Sequence, residues 1–451
     1  MTSASRGRLV GSMLSALLVL GPVSFLVGGS APAMAAPRCS RTAPSAHHAP
    51  GKAARVRGYL HTCPDGTLRL ANGRKIRLIG LEYLQMGWGN VNSGKCDRTW
   101  KAPPTYAAAD MRRWGFNSVA LFVSWQNLEP TPPTFDVTKK RIVHHYDTAY
   151  LRTLDRTIAR FRAARIAVLL VMLQSRWSGA FQDITGEEGS TFTSQCGMGM
   201  PTWLYETDGK PAGGGFQMVK AEKAFFRDTA VYGVKDPAGV TRGREKVQNE
   251  FIKAWKKVAW RYRSNKAVVG AITLFEAYDI LAQPYPGTEN LTPTALKLAR
   301  FHERVGRALR RADPHLVVMY TDRYDTEKHQ WSLTRRPRIP NAALASEFYG
   351  HPWKPGGLKR MVRYTRHARA WHAPFYIDEW DAFGFMRPDK PEAHDPTWAK
   401  DTKSLVLWCK QNQVSWGLSR YGGATRNPAF PKTGTKHRTS RKLLRILRHG
   451  F

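Results

Sequence analysis

Eight short β-rich runs, each followed by a longer polar or amphipathic stretch, punctuate this chain between residues 76 and 421. They cover 76–83, 118–125, 167–174, 268–276, 315–322, 342–349, 375–381 and 414–421. Several are almost unbroken apolar segments, as in Ala167-Val168-Leu169-Leu170-Val171-Met172-Leu173. A strand buried on both faces keeps no polar alternation, so such runs suit a parallel sheet covered by helices. Between them, residues 150–164, 250–262, 294–311 and 398–411 carry apolar side chains at three- and four-residue spacing, the period of a helix with one buried face. Eight strands alternating with helices predict an α/β fold, a (β/α)₈ TIM barrel. An open doubly wound sheet would carry a glycine-rich phosphate turn after its first strand, and none stands there.

The remaining segments attach to this frame. Residues 59–77 hold Pro64-Asp65-Gly66 and Asn72-Gly73 between short β-like runs, which predicts a small N-terminal hairpin closing the barrel's bottom. Residues 176–246, rich in glycine, form a long excursion after strand three. In a barrel that places them at the C-terminal face, where the βα loops build sites. The last segment, 433–451, reads as a basic amphipathic helix packed through Leu443, Leu444, Ile446 and Leu447 as helix eight.

At the other end, Arg6 and Arg8 precede an apolar run to Gly28 and a small-residue pattern at Ala33-Met34-Ala35. Residues 1–35 are therefore expected to be a cleaved signal peptide, 36–55 a flexible lead-in and 56–451 a single barrel domain. Secretion permits disulfides. Five cysteines leave one over, and Cys409 in the apolar run Leu405-Val406-Leu407-Trp408 is the expected free, buried thiol. Cys39–Cys63 and Cys96–Cys196 are the expected pairs.

The formal charge of +36 is high for an exported protein. It reflects either arginine-rich composition or attraction to an anionic cell-surface polymer. Basic residues are spread along the whole chain rather than gathered in a reading module, so nucleic acid is not an expected partner. No CxxC or His/Cys cluster suggests a metal, and no cofactor is expected. Past the leader no apolar run is long enough to span a membrane. A monomer is expected.

Chemistry in a barrel sits at the C-terminal ends of strands. Strand four ends Thr273-Leu274-Phe275-Glu276 and strand seven reads Phe375-Tyr376-Ile377-Asp378-Glu379-Trp380. Each delivers a carboxylate among apolar neighbours. Two such groups about 5–5.5 Å apart can cleave a glycosidic bond with retention: one attacks the sugar carbon, the other protonates the leaving oxygen. The bland counterpart is a pair of strand-end glutamates engaged by some of the 70 lysines and arginines.

The residues from Arg69 to Gly422 resemble the cellulase-like glycoside hydrolases of family five. Leu70-Ala71-Asn72-Gly73-Arg74 with Ile79-Gly80-Leu81 is similar to the family's opening strand. Trp114-Gly115-Phe116-Asn117-Ser118-Val119 and Ser124-Trp125 through Glu129-Pro130 are similar to its strand-two block. Val268-Val269-Gly270 through Glu276, and Pro374 through Glu379-Trp380, are similar to its acid/base and nucleophile blocks. Within the excursion, Gly199-Met200-Pro201-Thr202-Trp203-Leu204 and Asp208-Gly209 resemble the endoglycoceramidase branch, whose members cleave glycan from lipid.

This resemblance implies Glu276 as acid/base and Glu379 as nucleophile, with a carbohydrate or glycoconjugate as substrate. It also implies His351 and Trp353 beside the sugar. Trp125, Trp177, Trp203, Trp353 and Trp380 are candidates for stacking on sugar faces, and Gln174 for a substrate contact.

Three positions depart from the family pattern. Ala120 stands where an arginine is usual, Gln174 where a histidine is usual, and Phe275 where an asparagine binds the sugar 2-hydroxyl. Two readings follow: a secreted retaining glycosidase of a β-linked glycan, or a catalytically weak barrel that binds cell-surface carbohydrate.

Overall fold

In the computed structural model, the described residues are 39–40, 42–46, 49–84, 86, 100, 102–173, 177–178, 180, 199–205, 215–275, 292–322, 324–325, 330–331, 333, 335–348, 357–380, 398–419 and 438–451. Three short strands come first: β1 (Leu60–Cys63), β2 (Thr67–Leu70) and β3 (Lys75–Ile76). Eight more strands then close a barrel. In chain order these are β4 (Ile79–Tyr83), β5 (Ser118–Val123), β8 (Ala167–Leu173), β11 (Val268–Phe275), β12 (Val317–Thr321), β15 (Ala342–Phe348), β16 (Phe375–Trp380) and β17 (Ser415–Leu418). Each pairs in parallel with the next, and β17 returns to β4. All eight expected runs are barrel strands, shortened by one to three residues at their ends.

Helices follow most strands: α1 (Ala107–Trp114), the single-turn α2 (Trp125–Leu128) and α3 (Thr148–Ala163), then α4 (Gly215–Phe226), α5 (Val247–Tyr262) and α6 (Thr292–Ala312). The last three are α7 (Gly357–Ala370), α8 (Trp398–Gln411) and α9 (Arg438–Leu447). The connection after β12 differs. Among its described residues it carries a two-stranded hairpin, β13 (Tyr324–Asp325) with β14 (Gln330–Trp331), in place of a helix.

Alternation along each strand divides the apolar side chains into two bodies. Leu81, Leu121, Leu170, Val318, Leu344, Ile377 and Trp416 face outward into a layer shared with the helices. Ala120, Phe122, Leu169, Val171, Met319, Ala345 and Tyr376 face inward and fill the lumen. Leu60, Leu68, Leu70, Ile76 and Leu78 belong to this inner body, so the β1–β3 sheet closes the N-terminal end of the barrel as expected. The Asn341 side chain ties it there: its Oδ1 accepts from the Thr62 amide at 2.8 Å and its Nδ2 donates to the Leu60 carbonyl. Inside this sheet Arg69 is fully buried, yet its guanidinium donates to Thr67, Asp65, Ser40 and Gly73. A buried charge is tolerable only when hydrogen-bonded in this way.

The Cys39–Cys63 disulfide is present and Cys409 is free and buried, while Cys96 and Cys196 lie outside the described residues. Helix α9 buries Leu443, Ile446 and Leu447, and Phe451 beyond it packs against Phe116 and Trp416. No helix among the described residues is long and apolar enough to cross a membrane.

Closure between β4 and β5 demands a glycine. A Cβ on Gly80 would lie 2.5 Å from the Ser118 carbonyl oxygen, a backbone atom that can withdraw only by distorting the barrel. Gly80→Ala is therefore expected to destabilise the fold by about 1–3 kcal/mol, read as a lowered urea midpoint at unchanged m-value.

Candidate active site

The C-terminal mouth of the barrel is shaped by two irregularities in otherwise regular strands. On β16, Ile377 pairs with Trp416 and Trp380 with Leu418, so Asp378 and Glu379 together oppose Gly417 alone. The other neighbour agrees: Ser346 pairs with Ile377 and Phe348 with Trp380. Strand β16 therefore carries a two-for-one bulge at Asp378-Glu379, a device that re-aims side chains next to sites. Strict alternation would send Glu379 outward with Ile377. Instead Trp380 takes the outer layer, against Trp416, and Glu379 is directed to Ser419. The Ser419 hydroxyl donates to Glu379 Oε1 at 2.7 Å, and both residues are buried.

Asp378 lies beneath, on the lumen face it shares with Tyr376. Neither of its carboxylate oxygens has a well-formed hydrogen bond, and the amides of residues 378 and 379 lie near it. Burial, and then the adjacent Glu379 charge, push the Asp378 carboxyl well above the usual carboxylate range. The Tyr376 phenol is raised in the same way by burial and by the charges of Glu82 and Asp378. Glu82, fully buried on β4, stands in register with Ala120 of β5. Where the resemblance leads one to expect an arginine, the lumen holds a methyl group beside a carboxylate. Neither Glu82, Asp378 nor Ser419 stood out as a site residue in the sequence. A lumen-facing polar residue at a strand's C-terminal end was the available signal.

The second irregularity is on β11. Ile272 pairs with Val171 and Phe275 with Leu173, so Thr273 and Leu274 oppose Met172 alone. Phe275 thereby rejoins Ile272 on the inner face, its ring edge-on to Phe122 at 4.7 Å between centroids. Phe275 fills the lumen with hydrocarbon at the position where the family pattern has an amide. Glu276, the next residue, lies outside the described residues, as do Gln174, His351 and Trp353.

The described tryptophans correct the sequence reading. Trp125 and Trp380 are both 0% exposed, and Trp177 is 2% exposed. Trp125 packs edge-on to Trp203 and Phe251, and its Nε1 donates to Glu129 Oε2 at 2.9 Å. Trp177 sits against Phe225 and donates to the Tyr205 hydroxyl, and Trp203 donates to the Glu129 carbonyl. Trp125, Trp177 and Trp380 are enclosed by the protein and present no face to a sugar, while Trp203 is half-buried. The reason is local: Trp125 and Trp177 pack the loops after strands two and three onto α5 and α4, and Trp380 packs against Trp416.

That packing continues at the rim. A four-stranded sheet, in order β10 (Thr241–Lys246), β9 (Val231–Lys235), β6 (Thr134–Asp136) and β7 (Arg141–Val143), is assembled from the same two loops. His144 Nδ1 lies 2.7 Å from the buried Glu129 and its Nε2 lies 3.5 Å from the buried Glu250 of α5. Burial raises the Glu250 carboxyl against the pull of Lys253. Glu129, conspicuous in the sequence, is a loop anchor.

The barrel is shared with solved glycosidases. An endogalactoceramidase structure superposes with a TM-score of 0.62 at 19% identity, over 87% of this chain and 85% of that one. The lactosyl-enzyme intermediate of endo-glycoceramidase II from Rhodococcus sp. gives 0.56 at 18% identity, over 87% and 81%. A hyperthermostable endocellulase gives 0.50 at 15% identity, over 87% and 99%. No protein-family model and no curated protein matches the chain. At these identities the likeness establishes the architecture.

The Asp378 shift has a stability consequence. A carboxyl raised on folding binds a proton that the unfolded chain, with a value near 3.9, has released. The cost is absent below that pH and grows as pH rises toward the folded value. Asp378→Asn is expected to gain stability over the parent progressively from about pH 4 upward, in urea titrations at pH 4, 5.5 and 7. A difference that does not depend on pH would contradict this.

Proposed function

We propose that this chain is a glycoside hydrolase, and that it cleaves a β-linked glycan or glycoconjugate with retention through Glu379 as nucleophile and Glu276 as acid/base. The observation that carries the reading is the β16 bulge. It sets a buried glutamate at the end of the seventh barrel strand against Ser419, whose hydroxyl donates to it at 2.7 Å. Alternation alone would spend that carboxylate in the apolar outer layer. Glu276 follows directly on the fourth barrel strand, β11.

In the first step a Glu379 oxygen attacks the anomeric carbon as the bond to the leaving oxygen breaks, and Glu276 gives that oxygen its proton. In the second, Glu276 takes a proton from water, the water oxygen attacks the anomeric carbon, and Glu379 leaves as carboxylate. The Ser419 hydroxyl holds Glu379 in one rotamer and supports its charge whenever it is released. His351, Trp353 and Gln174 are proposed around the sugar. The inward Phe275 cannot bond a 2-hydroxyl, which favours a substrate recognised elsewhere on the sugar or a slower enzyme. Export is part of the proposal and is supported by the Cys39–Cys63 disulfide, a bond that persists in oxidising compartments. The ceramide-linked glycans named for the similar structures make a glycolipid the first substrate to screen.

Glu379→Gln and Glu276→Gln are each expected to lower kcat by about 10³-fold or more on aryl β-glycosides and glycolipids. A 2-fluoroglycoside should form a covalent adduct that peptide mass mapping places on Glu379. Turnover unaffected by either variant would sink the assignment, and glycan binding with no turnover would favour the binding-barrel reading. Ser419→Ala removes one hydrogen bond to a charged group, worth about 1.5–3 kcal/mol. Its kcat/KM is expected to fall roughly 10- to 100-fold while the fold persists.

A further inference from the structure

The opposite end of the barrel holds a cavity of about 450 Å³. Three separate segments meet there: the stretch before β1, the C-terminal turn of α3, and the turn leading into β11. They contribute Arg55, Arg57, Arg162, Arg165 and Lys266, with no carboxylate in the lining. Ile166, Ala167 and Ala267 contribute to its wall. All five cations are exposed, and among the described residues none of them makes an ion pair. Elsewhere the pattern is the reverse. Arg242 pairs with Asp236, Arg261 with Asp155, Arg304 with Asp228 and Arg335 with Glu303.

Five like charges around one concavity repel unless an anion sits among them. Their effect is felt nearby: burial, then the Arg55 and Arg165 charges, hold the Arg112 guanidinium below its ordinary value. Attraction to the carbonyl end of α3 accounts for Arg162 and Arg165 at most. Arg55, Arg57 and Lys266 come from other segments. Arg165 also sits in the left-handed region at φ 60°, where glycine is the undemanding choice.

We propose that this cavity is an anion site for a phosphate or phosphodiester group carried on a flexible chain. Guanidinium forks match the oxygens of such a group two at a time, and the volume suits one phosphate with its flanking residue. The recess favours a group that can enter it, rather than the flat array of headgroups on a bilayer. Its place away from the barrel mouth makes the site independent of the glycosidase reading: it would tether the protein to an anionic polymer while the mouth stays open.

The test is calorimetry of the full mature chain with linear polyphosphate at ~0.15 M salt, where exposed charges are screened beyond about 8 Å. Saturable one-site binding that inorganic phosphate competes away is expected. Arg57→Glu with Arg165→Glu should weaken it by about tenfold or more. Lys140→Glu with Arg244→Glu, the same charge change on the rim sheet, should leave it within about twofold. Equal losses in both double variants would overturn the proposal, because net charge alone would then explain binding. So would the absence of saturable binding, or binding only to phosphatidylglycerol vesicles.

Discussion

A closed ring of eight parallel strands has to fill its own centre with side chains, and that packing requirement governs the rest of this molecule. Closure satisfies every strand's backbone bonds within the sheet and leaves no edge. It also confines every second side chain of each strand to a narrow lumen. Here the lower and middle lumen is hydrocarbon, from the Leu60–Leu70 cap through Leu169, Met319 and Phe122. The glycines at positions 80, 270 and 417 occur where neighbouring strands or side chains leave no room for a Cβ.

Among the described residues, polarity enters the lumen toward the top, as carboxylates beside the Tyr376 phenol. Glu82, Asp378 and Glu379 come from β4 and β16, the two strands that flank β17, and no lysine or arginine lies on the described lumen face. Carboxylates crowded in a low-dielectric space disfavour one another's ionised forms. Burial, and then the neighbouring Glu379 charge, make Asp378 hold its proton more tightly than usual. Ser419 then supplies Glu379 with a neutral donor. This is a different electrostatic arrangement from one built on an arginine at position 120, and it follows from the small side chain there. Among the described residues, carboxylates gather at the upper end of the lumen and cations around the N-terminal cavity.

Much of the architecture could be read before any coordinates, because long apolar runs such as 167–173 and 268–275 leave little alternative to strands buried on both faces. The N-terminal cap, the Cys39–Cys63 bond and the free Cys409 were legible for similar reasons of turn chemistry and parity. The tryptophans were not. A ring at a strand's end is consistent both with a sugar platform and with loop packing, and only burial separates the two. Trp125, Trp177 and Trp380 all proved to be packing. The hairpin after β12 was equally silent, being too short to carry a period.

What the sequence determined by itself is the number and order of the barrel strands, since hydrophobic burial acts on runs of residues and leaves a periodic trace. What the tertiary structure alone decided is where individual side chains at the mouth point. A bulge costs one residue of register and leaves no compositional mark, yet it reverses the facing of everything beyond it. Glu379 faces Ser419, and Trp380 faces the helices, because two residues of β16 share the space opposite one glycine.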